Sequence, residues 1–217
     1  MAMGRIAILI DPDKQGPSLS ERVAKLSALG LSPDLILLGG STGVLDSETV
    51  FDQARALGLP VWLFPGNEYQ LSPQAENLLL PVLISGRNPQ LLIGKHVEAA
   101  RKIRTLGIPV TPMGYILIDG GNIPSVQKVS ETEPLSPTDV ETIVSTAIAG
   151  ELLGQQAIYL EAGSGALYPV PTKVIAAVRK EINIPLIVGG GLRSQQTIND
   201  ALTAGADIVV IGTALEH

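Results

Sequence analysis

Short apolar runs, each long enough for one β-strand, recur along the 217-residue chain with helix-like segments between them. They are continuous rather than alternating in hydrophobicity, which is typical of parallel strands that are buried on both faces. A helix end, a short turn, a proline and a new strand follow one another in the same order three times, at 57–61, 106–110 and 182–186. The runs lie at residues 6–10, 35–38, 61–64, 79–84, 110–118, 157–160, 186–188 and 208–211. This pattern predicts an α/β fold, a single TIM-like (β/α)8 barrel over residues 1–217.

Two of the connections depart from a regular barrel. Helices are predicted at 20–29, 47–57, 98–106, 137–153, 171–181 and 194–204. Between Phe64 and Leu79 there is room for loops and one turn, so the third outer helix is reduced or replaced by a loop. Such a gap leaves either an apolar groove for an oily ligand or a long packed loop. No closing helix follows the eighth strand before His217, so either that helix lies beyond His217 or a partner covers the surface, as in a homo-oligomer.

Composition and charge exclude several classes of protein. The net charge of −6, the pI near 4.9 and the lack of a basic cluster argue against a nucleic-acid partner. The chain has no cysteine and only two histidines, which excludes thiol chemistry and disfavours a histidine-rich metal site. The first apolar run is too short for a signal peptide or a membrane span of ~20 residues. We therefore expect a cytoplasmic protein without a transmembrane segment.

Glycine-rich segments follow the last three predicted strands, at residues 163–165, 189–191 and 212–213. In a barrel the carboxyl ends of all strands meet at one face, where barrel enzymes bind their substrates. Backbone N–H groups of such loops can point at an anion, and barrel phosphate sites often use the loops after strands seven and eight. A tight turn explains each segment alone, but the three together predict a phosphate site.

Glu161 stands at the end of the sixth strand, directly before the first of these glycine segments. A carboxylate beside a bound phosphate compound can accept a proton from one of its hydroxyl groups. The sequence therefore predicts a general base at the edge of the phosphate site.

Oxygen-bearing side chains follow the first two strands. Asp11 and Asp13, with Lys14, can hold Mg2+ and face a phosphate, or they form an ordinary polar turn. The hydroxyl groups of Ser41 and Thr42 can bind a metal or a phosphate, although a turn with a helix N-cap explains them nearly as well. A metal site and ordinary turns both remain open on these residues.

Taken together, the motifs resemble the geranylgeranylglyceryl phosphate synthase family. The most specific of them is the Tyr-Leu-Glu-Ala-Gly-Ser-Gly string at 159–165. The resemblance implies a barrel enzyme that uses Mg2+ to join sn-glycerol 1-phosphate to geranylgeranyl diphosphate or a similar long prenyl diphosphate, a step of ether-lipid biosynthesis. The matching segments, in chain order between residues 8 and 216, are 11–14, 39–41, 64–66, 87–89, 114–117, 159–165, 169–171, 188–191 and 212–213.

The resemblance also implies roles for individual residues. Asp11 and Ser41 would bind the metal near the diphosphate, and Glu161 would accept the proton of the glycerol hydroxyl. Some relatives carry a lysine two residues before the aspartate that Asp11 matches, where this chain has Leu9, so that phosphate contact is absent here. The implied substrate-binding set comprises Tyr159, Leu160, Glu161, Ala162, Gly163, Ser164, Gly165, Gly190, Gly191, Gly212 and Thr213.

Two other functions remain open from the residues. One is a different phosphate-binding barrel enzyme, such as a sugar-phosphate isomerase of histidine or tryptophan biosynthesis, to which Asp11 could contribute one acid or base. The other is a noncatalytic barrel that binds a phospholipid or a polyprenyl compound. Asp11, Ser41 and Glu161 together argue against a loss of catalysis.

Overall fold

The computed structural model describes residues 4–11, 16–40, 48–67 and 70–216. Eight parallel strands pair in chain order, and the eighth pairs with the first to close the barrel. This confirms the predicted (β/α)8 fold. The strands are β1 (Arg5–Ile10), β2 (Leu35–Leu38), β3 (Val61–Leu63), β4 (Asn77–Leu83), β5 (Val110–Leu117), β6 (Ala157–Glu161), β7 (Leu186–Gly189) and β8 (Ile208–Ile211).

The six predicted helices are confirmed within a few residues at most ends, and a seventh was missed. The predicted start at 137 was wrong, because Asp139 caps the helix by accepting a hydrogen bond from the Thr142 N–H group. The predicted start at 98 was also late, since a π-helical turn, Gln90–Gly94, leads directly into that helix. The helices are α1 (Leu19–Ala28), α2 (Glu48–Ala56), α3 (Lys95–Leu106), α4 (Ser125–Ser130), α5 (Val140–Leu152), α6 (Thr172–Glu181) and α7 (Gln195–Thr203).

Side chains of each strand alternate between the barrel interior and the layer under the outer helices. On β6, Tyr159 packs with the interior cluster, whereas Ile158 and Leu160 pack with the cluster beneath the helices. All three side chains are fully buried. Burying an aliphatic side chain of this size contributes about 1.5–3 kcal/mol, so both layers stabilise the barrel.

The outer ring is open between β3 and β4, as predicted. The residues described between these strands, 64–67 and 70–76, form turns and loops but no full helix. On β4, Leu80 and Pro81 are consequently only half-buried. After β8, residues 212–216 contain a single 3₁₀ turn, Thr213–Leu215. None of the helices in the described ranges is long and apolar enough to cross a membrane.

Candidate active site

A cavity of about 270 Å³ opens at the carboxyl ends of the strands. One end is polar and contains the glycine segments that follow β6, β7 and β8. The other end is an apolar groove that leaves the barrel through the gap in the helical ring. The groove is lined by Leu71, Leu80, Pro81, Leu83, Leu91, Ala99, Ile103, Val126 and Val129.

Glu161 lies in the cavity wall at the end of β6 and is 7% exposed. Its Oε1 atom accepts a hydrogen bond of 2.7 Å from the Gly163 N–H group. Burial raises the pKa of the Glu161 carboxyl group, and the Tyr159 hydroxyl and the Gly163 N–H group offset part of that rise. The result is a carboxylate more basic than one in water, placed where it can accept a proton from a bound compound.

Three aromatic rings stand beside this carboxylate. The ring of Tyr159 is 5.5 Å from that of Phe64 and 5.3 Å from that of Tyr115, centroid to centroid. Burial, and secondarily the charge of Glu161, raises the pKa of both tyrosines well above the ordinary value, so both phenols stay protonated. The Tyr159 hydroxyl is adjacent to Glu161 but is not aligned for a regular hydrogen bond to any described residue. All three residues line the cavity and form one aromatic cluster in its wall.

The predicted phosphate segments converge at the polar end. The hydroxyl groups of Ser164 and Thr213 lie 3.3 Å apart, which links the segments after β6 and β8. Gly190 has a φ of 83°, and a Cβ atom there would lie only 2.6 Å from Glu161 Oε1. No larger residue fits this position without moving the carboxylate. The predicted residues that line the cavity are Tyr159, Glu161, Gly163, Ser164, Gly165, Gly190, Gly191, Gly212 and Thr213.

Leu160 and Ala162 lie elsewhere. Both side chains are buried in the cluster between the strands and the outer helices, because alternate residues of a strand face opposite sides. Only their backbone atoms are available to a ligand at the strand ends. Their predicted binding role is therefore limited to backbone contacts.

Asp11 lines the same cavity, close to Gly40. A Cβ atom on Gly40 would lie 2.2 Å from Asp11 Oδ1. The Asp11 carboxylate can therefore occupy this position only because residue 40 has no side chain. Ser41, the second predicted metal ligand, lies outside the described residues, as do Asp13 and Lys14. Within the described ranges there is no group of three acidic, histidine or cysteine side chains that could hold a metal. A single carboxylate fits Mg2+, which keeps several waters and takes other ligands from phosphates.

Arg193, which was not predicted from the sequence, also lines the polar end. Its Nη2 atom donates hydrogen bonds to the carbonyl oxygens of Gly165 and Ala166, at 3.3 and 2.9 Å. The sequence feature that could have indicated this residue is a basic side chain two positions after the glycine segment 189–191. Arg87, in the matched segment 87–89, is not part of the cavity lining. It donates hydrogen bonds to the carbonyl groups of Ile84 and Gly86 in its own loop.

Comparisons with known proteins agree with this geometry. The model of the PcrB family matches residues 3–217. The geranylgeranylglyceryl phosphate synthase of Zunongwangia profunda is 47% identical over 215 residues, which cover 98% of this chain and 91% of that protein.

Two solved structures have closely similar folds. One is the wild-type synthase (GGGPS) of Thermoplasma volcanium, which is 34% identical with a TM-score of 0.84 over 99% of this chain and 86% of that one. The other is (S)-3-O-geranylgeranylglyceryl phosphate synthase of Thermoplasma acidophilum in complex with its substrate sn-glycerol-1-phosphate. It is 31% identical with a TM-score of 0.84 over 100% of this chain and 87% of that one.

Proposed function

This chain belongs to the PcrB family, and we propose that it is a prenyltransferase of ether-lipid biosynthesis. It joins sn-glycerol 1-phosphate to geranylgeranyl diphosphate or a similar long prenyl diphosphate and releases diphosphate. The observation that carries the proposal is the position of Glu161. This buried carboxylate stands where a glycine-lined polar site meets an apolar groove, as a reaction between a phosphate compound and a prenyl chain requires.

In the proposed reaction the glycine segments bind the phosphate of the acceptor and hold its hydroxyl group near Glu161. The hydroxyl oxygen forms a bond to the allylic carbon of the prenyl chain while the bond from that carbon to the diphosphate oxygen breaks. The proton of the hydroxyl passes to Glu161, and the bonding electrons leave with the diphosphate. A base held in position in this way contributes about 10²–10⁴-fold to the rate.

The aromatic wall suits the other half of the reaction. Positive charge develops on the allylic carbon as the diphosphate leaves, and the faces of aromatic rings attract positive charge. Phe64, Tyr115 and Tyr159 supply such rings in the cavity wall, next to Glu161. The groove, in turn, offers the prenyl tail an apolar surface that excludes water.

We also propose that the reaction depends on Mg2+. Asp11, with Ser41, would hold the ion beside the diphosphate. A bound Mg2+ ion supplies charge neutralisation for a leaving diphosphate. Two points support this proposal. The carboxylate of Asp11 lines the cavity, and carboxylate oxygens are ligands that a hard cation such as Mg2+ prefers.

Product formation tests the function and the groove together. The protein is incubated with Mg2+, sn-glycerol 1-phosphate and radiolabelled prenyl diphosphates of increasing length. We expect a butanol-extractable product, with turnover that depends on chain length because the tail must fit the groove. Equal turnover for every length would contradict a fitted groove. Binding of the prenyl diphosphate without product would favour the noncatalytic barrel, and turnover of a sugar phosphate would favour the isomerase.

Gly189→Ala should lower kcat about 10- to 100-fold and leave the protein folded. Gly189 is opposite Glu161 in the sheet, and a Cβ atom there would lie 2.2 Å from the Tyr159 hydroxyl and 2.8 Å from Glu161 Oε2. Small displacements of a reacting group carry rate losses of this size. Steady-state kinetics and circular dichroism measure the effect.

Gly154→Ala is the control for that variant. Gly154 has a positive φ of 89° but no atom within 4 Å of an added Cβ, and it lies outside the cavity lining. It should lose some stability and keep kcat. An unchanged kcat in Gly189→Ala would show that the Glu161 carboxylate tolerates displacement.

Self-association and a cytoplasmic location stay predictions. Leu152 and Leu153, at the end of α5, are 81% and 79% exposed, which supports the first of them. The oligomeric state in solution, measured by light scattering, tests it.

A further inference from the structure

The loop after β6, residues 163–166, is held by side chains from both neighbouring connections. The carbonyl oxygen of Ser164 accepts a hydrogen bond of 3.2 Å from Asn122 Nδ2, on the β5 side. The carbonyl oxygens of Gly165 and Ala166 accept hydrogen bonds from Arg193 Nη2, on the β7 side. Three successive carbonyl groups of the loop are thus fixed from outside it.

Fixing these carbonyl groups also fixes the N–H groups that share their peptide planes. In a trans peptide the C=O and N–H bonds point in opposite directions. Because Asn122 holds the Ser164 carbonyl, the Gly165 N–H group is directed away from Asn122. Gly163 and Gly165 have positive φ values, 102° and 74°, and successive N–H groups in such backbone form concave anion sites. The N–H groups that share peptide planes with the two carbonyl groups bound by Arg193 belong to Ala166 and Leu167, and they donate to the carbonyl oxygens of Gly163 and Gly120. Arg193 therefore fixes the course of the loop, and the plane held by Asn122 sets the direction of the Gly165 N–H group.

Arg193 also brings charge to this end of the cavity. Its guanidinium group has five N–H donors, and the bonds to the two carbonyl oxygens use only the Nη2 nitrogen. Two basic residues that carry a full charge line the cavity in the described part of the chain. Lys95 lies on the groove side, and Arg193 lies at the glycine-rich polar end. A substrate phosphate carries negative charge, whereas the protein as a whole has a net charge of −6.

We propose that Arg193 is a positioning residue for the acceptor substrate. It holds the loop after β6 in place beside the polar end of the cavity and attracts the phosphate of sn-glycerol 1-phosphate. The inference rests on the proposed function, because the acceptor is taken from it. Arg193 acts on the binding of one substrate and takes no part in the transfer of the proton.

Kinetics with both substrates varied separates this role from a general loss of structure. For Arg193→Ala we expect the KM for sn-glycerol 1-phosphate to rise about tenfold, the size expected for losing a charge-assisted contact. The KM for the prenyl diphosphate and kcat should change less than about twofold. Arg193→Lys keeps the charge but lacks the planar fork, so its KM for sn-glycerol 1-phosphate should lie between the values of the wild type and of Arg193→Ala.

Lys173→Ala is the matched control. It removes the same charge from an exposed position on α6 outside the cavity lining, and its kinetics should equal those of the wild type. The proposal is overturned if Arg193→Ala leaves the KM for the acceptor unchanged or raises both KM values equally. Full recovery in Arg193→Lys would overturn the role in holding the loop.

A binding measurement keeps failure of the inference distinct from failure of the proposed function. If the wild type forms no prenyl product, titration with inorganic phosphate still compares the wild type with Arg193→Ala. Weaker phosphate binding in the variant supports the role of Arg193 whatever the acceptor is. Equal affinity overturns it.

Discussion

Glu161→Gln should fold normally and lose about 10²–10⁴-fold in kcat, because an amide cannot accept the proton of the glycerol hydroxyl. The amide has nearly the same shape as the carboxylic acid, and its oxygen can still accept the hydrogen bond from the Gly163 N–H group. Single-turnover measurements of product formation give the loss directly. Glu181→Gln, at the exposed end of α6, is the control and should keep full activity. Turnover within a few-fold of the wild type would remove Glu161 from the mechanism.

The pH dependence follows from the same burial. Because burial raises the pKa of Glu161 above its ordinary value, kcat should fall as the pH decreases through that raised pKa. The folded protein holds this proton more tightly than the unfolded chain. The stabilising contribution of Glu161 is therefore fully present below the ordinary pKa and is lost as the pH rises through the raised one.

Glu161→Gln should consequently have a higher Tm than the wild type at neutral pH, and this difference should shrink in acid. A lower Tm for the variant at pH 8 would contradict an unfavourably buried charge. Together with the loss of activity, a higher Tm would identify Glu161 as a group retained for chemistry at a cost in stability.

The barrel could be predicted because its signals are local. Most strands are short apolar runs with glycine, proline or aspartate within a few residues of each end, and these residues act on the backbone where they stand. Helix α4 was missed because its six residues contain too few apolar positions to show a helical period. It forms in the connection between β5 and α5, where the surrounding structure decides the conformation.

The candidate site was predictable only in part. Glu161 could be found because a carboxylate at a strand end is visible in the sequence. Arg193 could not be assigned a role, since its partners Gly165 and Ala166 are 28 and 27 residues away and meet it only when β6 and β7 pair. Leu160 belongs to the 159–165 motif, but the alternation of side chains along a strand places its side chain outside the barrel, under the outer helices.

Asp11→Asn is the substitution that tests the metal proposal, and we expect it to lower kcat about 10³-fold at a fixed Mg2+ concentration. Asparagine preserves the size of the side chain beside Gly40, where the close approach of Asp11 leaves no room for a larger group. The loss of the negative charge should therefore weaken the metal site without repacking the strand ends. The Mg2+ concentration for half-maximal activity should rise in the variant.

Three further measurements complete the test. Chelation with EDTA should abolish wild-type activity, and added Mg2+ should restore it. Asp52→Asn is the control, since Asp52 forms an exposed ion pair with Arg55 on α2, and such pairs contribute little. That variant should keep both its kcat and its Mg2+ requirement. Activity that persists in EDTA would contradict the metal proposal as a whole, whereas a Mg2+ requirement unchanged in Asp11→Asn would place the ion on other residues.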